Sequence, residues 1–481
     1  MNGDQPENIE LQNTENKKPR AFALLKNWNF SALFLGGFIS NVGSYFTYVA
    51  IIFLALNFTQ NLAPNEATRA IALMTTFTLT PMLVLGPIAG VLVDKYDRKK
   101  VLVIADIFGA LAAFGLIFAG QIWHLYLFAL FSSSVRQFFY PAKTASIPRI
   151  VKQDQLLSAN GFIQTSSNLS RLIGPLLAGF ITSIFGFNVA FIIDGISFLV
   201  SAGLIISIRT DLKPEKKEER VSFGSVMTGL KEGFKLSFGD RIITFLLISF
   251  GFVILLIGMV DPLIVPYMSF EFGVGEREFG MLMSFSAISG VIAAIALSIK
   301  GQLNRKLTFM SITVGIASFC LVFIAVAPFL PGGIIWLYIG MSLVGMINVG
   351  FNIPFSTLLQ TIVRNEHLGK ISGVIDTVLN AASLLAATMA AALAGVISTS
   401  FIFGIGAVLI ALASVGSLIA IRVMKLEKES QRRELEMKQL KEMEEKEESF
   451  GEETDKFEEK IQITLEQIKA EESDTPLPSS D

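Results

Sequence analysis

Gly90-Val91-Leu92-Val93-Asp94-Lys95-Tyr96-Asp97-Arg98-Lys99-Lys100 links two long apolar runs, Ala70 to Val93 and Val101 to Gly120. Each run has the ~20 residues needed to cross ~30 Å of hydrocarbon. The charged stretch therefore reads as a tight turn between two membrane helices. Its glycine lets two helix ends approach closely. Its carboxylates and cations can lock onto neighbouring helix ends, where the helix macrodipoles favour them.

Composition agrees with a membrane setting. The chain has 481 residues, 52% hydrophobic and 17% charged, with mean hydropathy +0.58. A soluble chain carries roughly a quarter charged residues. The charges fall in the termini and short loops, as they must where an unpaired charge in hydrocarbon costs several kcal/mol. A net charge of −2 gives no reason to expect a nucleic-acid partner. Cys320 is the only cysteine, which excludes an intrachain disulfide and a cysteine-metal cluster. His124 and His367 are far apart, so neither a metal nor a cofactor is expected. The polar Met1 to Arg20 segment lacks the short apolar core of a cleaved signal peptide.

Taken in order, the apolar runs predict an all-α membrane protein of twelve transmembrane helices in two six-helix bundles. Residues 1–28 form a cytoplasmic N-terminal segment and 29–208 the first bundle. Its helices run over about Asn29–Leu56, Ala70–Val93, Val101–Gly120, Trp123–Ala145, Leu156–Phe185 and Asn188–Ile208. Residues 209–240 are a cytoplasmic linker, where Phe223, Val226, Met227, Leu230, Phe234 and Phe238 recur at helical spacing beside Lys231 and Lys235. That is an amphipathic helix on the membrane face. The second bundle occupies 241–424. Its helices are about Arg241–Tyr267, Phe279–Ile299, Leu307–Ala327, Gly333–Leu359, Leu368–Val396 and Phe401–Met424. Residues 425–481 form an acidic tail, read as a solvated helix with a disordered end. Basic residues fall in alternate loops, which places both termini and the linker in the cytoplasm.

Two features point to an internal repeat. Ile150-Val-Lys-Gln-Asp154-Gln-Leu156 continuing to Gly161 aligns with Ile362-Val-Arg-Asn-Glu366-His-Leu368 continuing to Gly373. Lys300-Gly301-Gln302-Leu303-Asn304-Arg305-Lys306 is a second copy of the opening loop without its carboxylate. The opening loop resembles the signature loop of major facilitator superfamily transporters, Gly-x-Leu-x-Asp-Arg-x-Gly-Arg-Lys. Gly90, Leu92, Asp94, Arg98 and Lys99 match, Lys95 replaces an arginine and Asp97 replaces the second glycine. The Asp97 departure is shared by the branch that includes macrolide-efflux proteins and the enterobactin exporter. Arg136 to Pro148 is similar to the same branch. Arg171-Leu-Ile-Gly174-Pro175-Leu-Leu-Ala-Gly179 resembles the helix-5 motif of antiporters, with Ser170 and Ala178 where glycines are usual. The resemblance implies gating by Gly90, Asp94, Arg98 and Lys99, and a role in proton coupling for Arg136.

Charges inside the spans are the other candidates. At ~1.5 Å per residue, Arg136, Arg171 and Asp106 come out at similar depths, ~20–21 Å from the outer ends of their helices. Asp106 is therefore expected to neutralise one of the two arginines. Asp194 reads as bundle packing on a peripheral helix, and Asp261 as solvated near the outer end of helix 7. Asp376 lies ~12 Å inside helix 11 with no basic partner evident in its own half, so it is a candidate proton or amine site. Asn41, Tyr45, Phe139, Tyr140, Asn348 and Asn352 are candidates for lining a substrate cavity. Residue by residue, helix–helix hydrogen bonding or ordinary packing is the simpler expectation for each of them.

The function expected is proton-coupled efflux of a small amphipathic drug or siderophore by a monomer in a bacterial plasma membrane. No Gly-x-x-x-x-Gly-Lys-[Ser/Thr] loop is present, and no nucleophile–base pair marks an enzyme. The alternatives are a lysophospholipid flippase, a nutrient importer of the same superfamily, or a scaffold acting through its tail.

Overall fold

The structure is a computed structural model that describes residues 21–213, 223–301 and 303–440, with 442, 443, 462 and 464. The N-terminal residues 1–20, part of the linker at 214–222 and most of the tail beyond 440 lie outside the described residues. The described residues are overwhelmingly helical and contain no strand. The helices are α1 (Trp28–Phe58), α2 (Pro64–Lys95), α3 (Arg98–Gly115), α4 (Ile122–Ile150), α5 (Leu156–Phe185), α6 (Phe187–Ile206), α7 (Phe223–Gly239), α8 (Arg241–Phe272), α9 (Glu276–Lys300), α10 (Lys306–Val326), α11 (Gly333–Ile362), α12 (Asn365–Ala394) and α13 (Thr399–Val423). A further helical stretch covers 426–440.

Eleven of these are long and apolar enough to cross a membrane. The helix that falls short by hydropathy is α4, which carries Arg136, Lys143 and Arg149. It nevertheless packs between α2 and α3 like its neighbours, and makes the twelfth span. Local sequence sets the helix ends. Asn27 caps α1 by accepting from Asn29 N (3.1 Å). Asp240 caps α8 by accepting from Ile242 N (2.9 Å) and Ile243 N (3.0 Å). These side chains satisfy amides that no helical carbonyl can reach.

The two bundles share one packing plan. In the first, α1 packs on α5 and α6, α3 on α4 and α6, and α2 on α4. In the second, α8 packs on α12 and α13, α10 on α11 and α13, and α9 on α11. Each contact maps onto its partner when six helices are advanced and α7 is skipped, as a parallel repeat requires. Matching contacts even carry matching bonds. Ser133 Oγ donates to Thr78 O (2.6 Å) between α4 and α2, and Ser289 Oγ to Ser342 O (2.6 Å) between α9 and α11. Small residues let the backbones meet: Gly36 faces Ser201 and Gly43 faces Ser197 at the α1–α6 contact.

The bundles meet through α5 against α9 and α2 against α12, a pair of contacts that the same repeat interchanges. Both are tight at the end away from the linker. A Cβ on Gly179 would fall 2.4 Å from Glu276 O, and one on Gly280 would fall 2.5 Å from Pro175 O. Ser284 Oγ donates to Leu172 O (3.1 Å). Phe53 of α1 meets Phe279 of α9 edge-on at 5.8 Å, and Arg277 sits 4.8 Å over the Phe180 ring. One apolar core runs through both bundles here, from Phe46 and Val49–Ala55 to Phe279 and Leu282. On the linker side the bundles separate. A Cβ on Gly90, Gly161, Gly369 or Gly373 would meet nothing within 4 Å. The first bundle keeps its own core there, around Phe30, Leu33, Leu102, Ile147 and Ile205. The molecule is thus sealed at the far side and open on the linker side.

Candidate functional site

The cleft that opens between the bundles is lined by polar residues that membrane helices otherwise avoid. On α5, Asn160, Gln164, Asn168 and Arg171 are all exposed and follow one another at helical spacing. On α11, Asn348, Asn352, Ser356 and Gln360 form a second exposed stripe. With no partner helix over them, these side chains bond along their own helix. Gln164 Nε2 donates to Asn168 Oδ1 (3.4 Å), Asn352 Nδ2 to Asn348 O (2.9 Å) and Gln360 Nε2 to Ser356 Oγ (3.3 Å). Stripes of this kind are stable within a bilayer only against water, so they mark an aqueous cleft.

Most of the cavity residues expected from sequence reach this cleft or its edge. Arg136 and Arg171 are exposed, Tyr140 is 73% exposed, and Asp376 is exposed on α12. Asn41 and Tyr45 are half-buried on α1, with the Tyr45 ring lying against Gly174 of α5. Phe139 is half-buried and packs against the linker-side core of the first bundle, while the next residue round α4, Tyr140, is exposed. Asp261 is a correction. Helix α8 continues to Phe272, which leaves Asp261 ~16 Å in from that end, exposed within the protein instead of at its rim. Sequence reading also passed over the α5 stripe and Tyr48. The spacing of Asn160, Gln164 and Asn168 was the available signal.

The buried charges form pairs other than the one expected. Asp106 is 1% exposed, and it makes no ion pair with Arg136 or Arg171 among the described residues. Its neighbours are Ser201 of α6 and Lys143 of α4. Lys143 is 7% exposed, and its ammonium lies over Gly37, where a Cβ would fall 2.4 Å from Nζ. Neither Asp106 oxygen has a hydrogen bond, nor has Ser201 Oγ. Asp194, 2% exposed, accepts from Ser197 Oγ (3.4 Å), and Arg136 acts on it electrostatically. Arg136 and Lys143 are seven residues apart on α4, as Asp194 and Ser201 are on α6. Two turns separate such positions, so they recur on one face. The first bundle therefore holds two acid–base levels, one above the other. Equal nominal depth misled the sequence estimate, since depth along an axis does not say which face a residue occupies. Lys143, two residues before the expected end of helix 4, reads from the sequence as part of the basic loop with Arg149 and Lys152 and not as a buried charge.

The signature loop acts within its own bundle. Asp97 caps α3 by accepting from Lys99 N (3.0 Å). Lys99 Nζ donates to Ile208 O (2.7 Å), and Arg98 Nη1 to Leu212 O (3.4 Å). Both cations reach chain just past the end of α6, where unpaired carbonyls and the macrodipole attract them. Gly90 is in open space, so the close approach expected of it is absent in this conformation. Asp94 is in the last turn of α2, and its side chain lies outside the described residues.

Linker and tail both attach to the second bundle. A Cβ on Gly233 of α7 would fall 2.7 Å from Lys370 O of α12, and Lys370 Nζ bonds Glu232 Oε2 (2.6 Å). The lysine holds the Glu232 carboxyl below the usual glutamate range. The 426–440 stretch, expected to be solvated, docks instead. Glu427 accepts from Thr308 N (2.9 Å) and Oγ1 (2.8 Å), capping α10. Lys306 Nζ pairs with Glu434 Oε2 at 2.7 Å, and Arg433 pairs with both Asp240 and Glu429. These acids matched helix N-termini and basic loops that the sequence alone does not bring together.

The profile of the Major Facilitator Superfamily matches residues 33–387 and 246–456. The chain belongs to the major facilitator superfamily. It is a multi-pass membrane protein of a transporter family. It is 24% identical over 392 residues to the uncharacterized MFS-type transporter YfiS of Bacillus subtilis (strain 168), covering 80% of this chain and 91% of that one. It is 21% identical over 371 residues to macrolide efflux protein A of Streptococcus pyogenes, covering 74% and 87%. It is 28% identical over 211 residues to the multi-drug resistance efflux pump PmrA of Streptococcus pneumoniae, covering 44% and 49%. Among solved structures, a bacterial homologue of the iron transporter ferroportin superposes with TM-score 0.62 at 15% identity, covering 81% of this chain and 98% of that one. A POT peptide transporter in complex with alafosfalin superposes with TM-score 0.66 at 13% identity, covering 83% and 95%. These likenesses bear on the fold alone.

Proposed function

We propose that the chain is a secondary active exporter that moves a small amphipathic substrate, macrolide-like or siderophore-like, in exchange for protons. The polar cleft supports this reading most strongly: an aqueous path leads from one side and stops at an apolar seal. Taken with the basic linker-side loops, that side is the cytoplasm of a bacterial cell and both termini lie there. The protein works as a monomer in the plasma membrane, and this conformation is its inward-open state.

Alternating access then needs the linker-side ends to close while the far side parts. Gly90, free in this state, becomes the surface on which the second bundle seats. Asp94, with Arg98 and Lys99 anchored beside it, holds the closed form. Arg136, coupled to Asp194, and Asp376, exposed on α12 of the other half, are the groups through which protons bias the change. Arg171, Asn348, Asn352, Asn41 and Tyr140 line the substrate path. Relatives named for macrolide and multidrug efflux support the direction.

The test is accumulation in an efflux-deficient bacterial host. Cells expressing the chain should hold less macrolide or lipophilic drug than control cells, and a protonophore should abolish the difference. A panel that includes lysophospholipid and nutrient probes separates the rival substrates. No change in accumulation of any efflux probe, with uptake of a nutrient instead, would overturn the export reading.

A further inference from the structure

At the inner end of the cleft lies a site that neither the gate nor the proton-coupling residues use. Tyr48 is 44% exposed on α1, and Asp261 is exposed on α8. Helices α1 and α8 hardly touch, yet Asp261 is close enough to act electrostatically on the Tyr48 hydroxyl. Both side chains are exposed on helices that hardly touch, at matching depths, so both open to the space between the bundles. Both lie ~30 Å from the linker-side ends of their helices. The Phe53–Phe279 contact closes the space above them, one to two turns nearer the far side. Tyr45 completes the frame: its ring meets that of Tyr48 edge-on, centroids 6.5 Å apart, and is steadied against Gly174.

Among the described residues Asp261 has neither a hydrogen bond nor an ion pair. Of the cleft arginines, Arg136 is coupled to Asp194, and neither it nor Arg171 forms an ion pair with Asp261 among the described residues. A carboxylate without a basic partner, in a recess walled by two tyrosines and roofed by two phenylalanines, has the chemistry of an organic-cation receptor. The charge attracts the cation, ring faces stabilise it by cation–π attraction, and the apolar roof accepts its hydrophobic groups. A hydrated metal ion would gain nothing from the rings.

We infer that Asp261, Tyr48 and Tyr45 form the binding site for a lipophilic organic monocation, such as a tertiary or quaternary amine, at the closed end of the cleft. This names the substrate class for the export reading and rests on it for its physiological meaning. The binding event itself is independent of transport.

The test is equilibrium binding of radiolabelled tetraphenylphosphonium to the purified full-length chain in lipid nanodiscs. The wild type should bind saturably. Asp261→Asn should weaken binding by an order of magnitude or more, and Asp261→Glu should recover most of it. Tyr48→Phe should bind as the wild type does, because the ring is kept, whereas Tyr48→Leu should bind several-fold more weakly. Thermal unfolding of each variant establishes that it is folded. Absence of saturable wild-type binding, or equal affinity in folded Asp261→Asn, overturns the site. Saturable, Asp261-dependent binding without cellular efflux keeps the site and overturns the exporter. Efflux with Asp261-independent binding does the reverse.

Discussion

The two bundles have the same helix plan and opposite chemistry. The first buries charge: Asp106, Lys143 and Asp194 are the buried acidic and basic side chains among the described residues, and all three lie between α1, α3, α4 and α6. The second buries no acidic or basic side chain among the described residues, and leaves Asp261 and Asp376 exposed. A repeat therefore conserves which helices touch, while leaving open what they enclose. Packing needs small residues at crossings, and both halves supply them. Charge placement is free to diverge, because each level must be neutralised only locally.

The largest effect should come from breaking the buried chemistry of the first bundle. Lys143→Met leaves Asp106 without its cation, and Asp106→Leu leaves Lys143 without its anion. Each should cost on the order of 3–5 kcal/mol, read as a marked fall in thermal unfolding temperature in detergent. The double variant should recover much of that loss, since removing both charges leaves none unpaired. Losses that simply add would show that acid and base do not interact.

The second bundle should respond in the opposite way. Asp376→Asn should leave the unfolding temperature near that of the wild type, because the side chain is already exposed. Gradient-driven efflux should be lost, with Asp376→Glu keeping part of it. A stability loss as large as that of Asp106→Leu would erase the distinction between the halves. At the gate, Asp94→Asn should keep expression and reduce transport, assayed in the same cells. Undiminished flux would reduce the signature loop to the helix-end anchoring seen for Arg98 and Lys99.

The smallest effect belongs to the surface link between α7 and α12. Lys370 holds the Glu232 carboxyl below its ordinary range, so the link is at full strength above the normal glutamate pKa. It is lost as pH falls through the lowered value. Salt should weaken it as well. Glu232→Gln should lower stability slightly at neutral pH, where the link is intact, and should remove the shallow acid-side decline. An unaltered pH profile would mean that Gly233 and its apolar neighbours alone hold the linker.

Element existence was legible because apolar runs and charged loops alternate, and most boundaries moved by only a few residues. Larger shifts of five or six residues fell at the start of helix 2 and at the ends of helices 4 and 7. For helix 4 the sequence puts the end near Ala145, before a basic loop, whereas the structure carries the helix to Ile150. That extension brings Lys143 well inside the bundle. Facing was harder to read. Asp106, Arg136 and Arg171 sit at similar depths, but the arginines turn to the cleft and Asp106 turns inward. Only packing decides that. Docking of 426–440 was illegible for a related reason, since its partners Asp240, Lys306 and Thr308 are more than a hundred residues away in the chain.

The central claim is a water-filled cleft open on the linker side and sealed beyond Phe53 and Phe279. Cys320 is the only cysteine and is buried, so a Cys320→Ala background makes introduced thiols easy to read. Asn168→Cys and Asn348→Cys should react quickly with a membrane-impermeant maleimide presented to the linker side in inverted vesicles. In right-side-out vesicles they should react at least an order of magnitude more slowly. Fast labelling from the far side only, or no labelling from either side, would contradict the account.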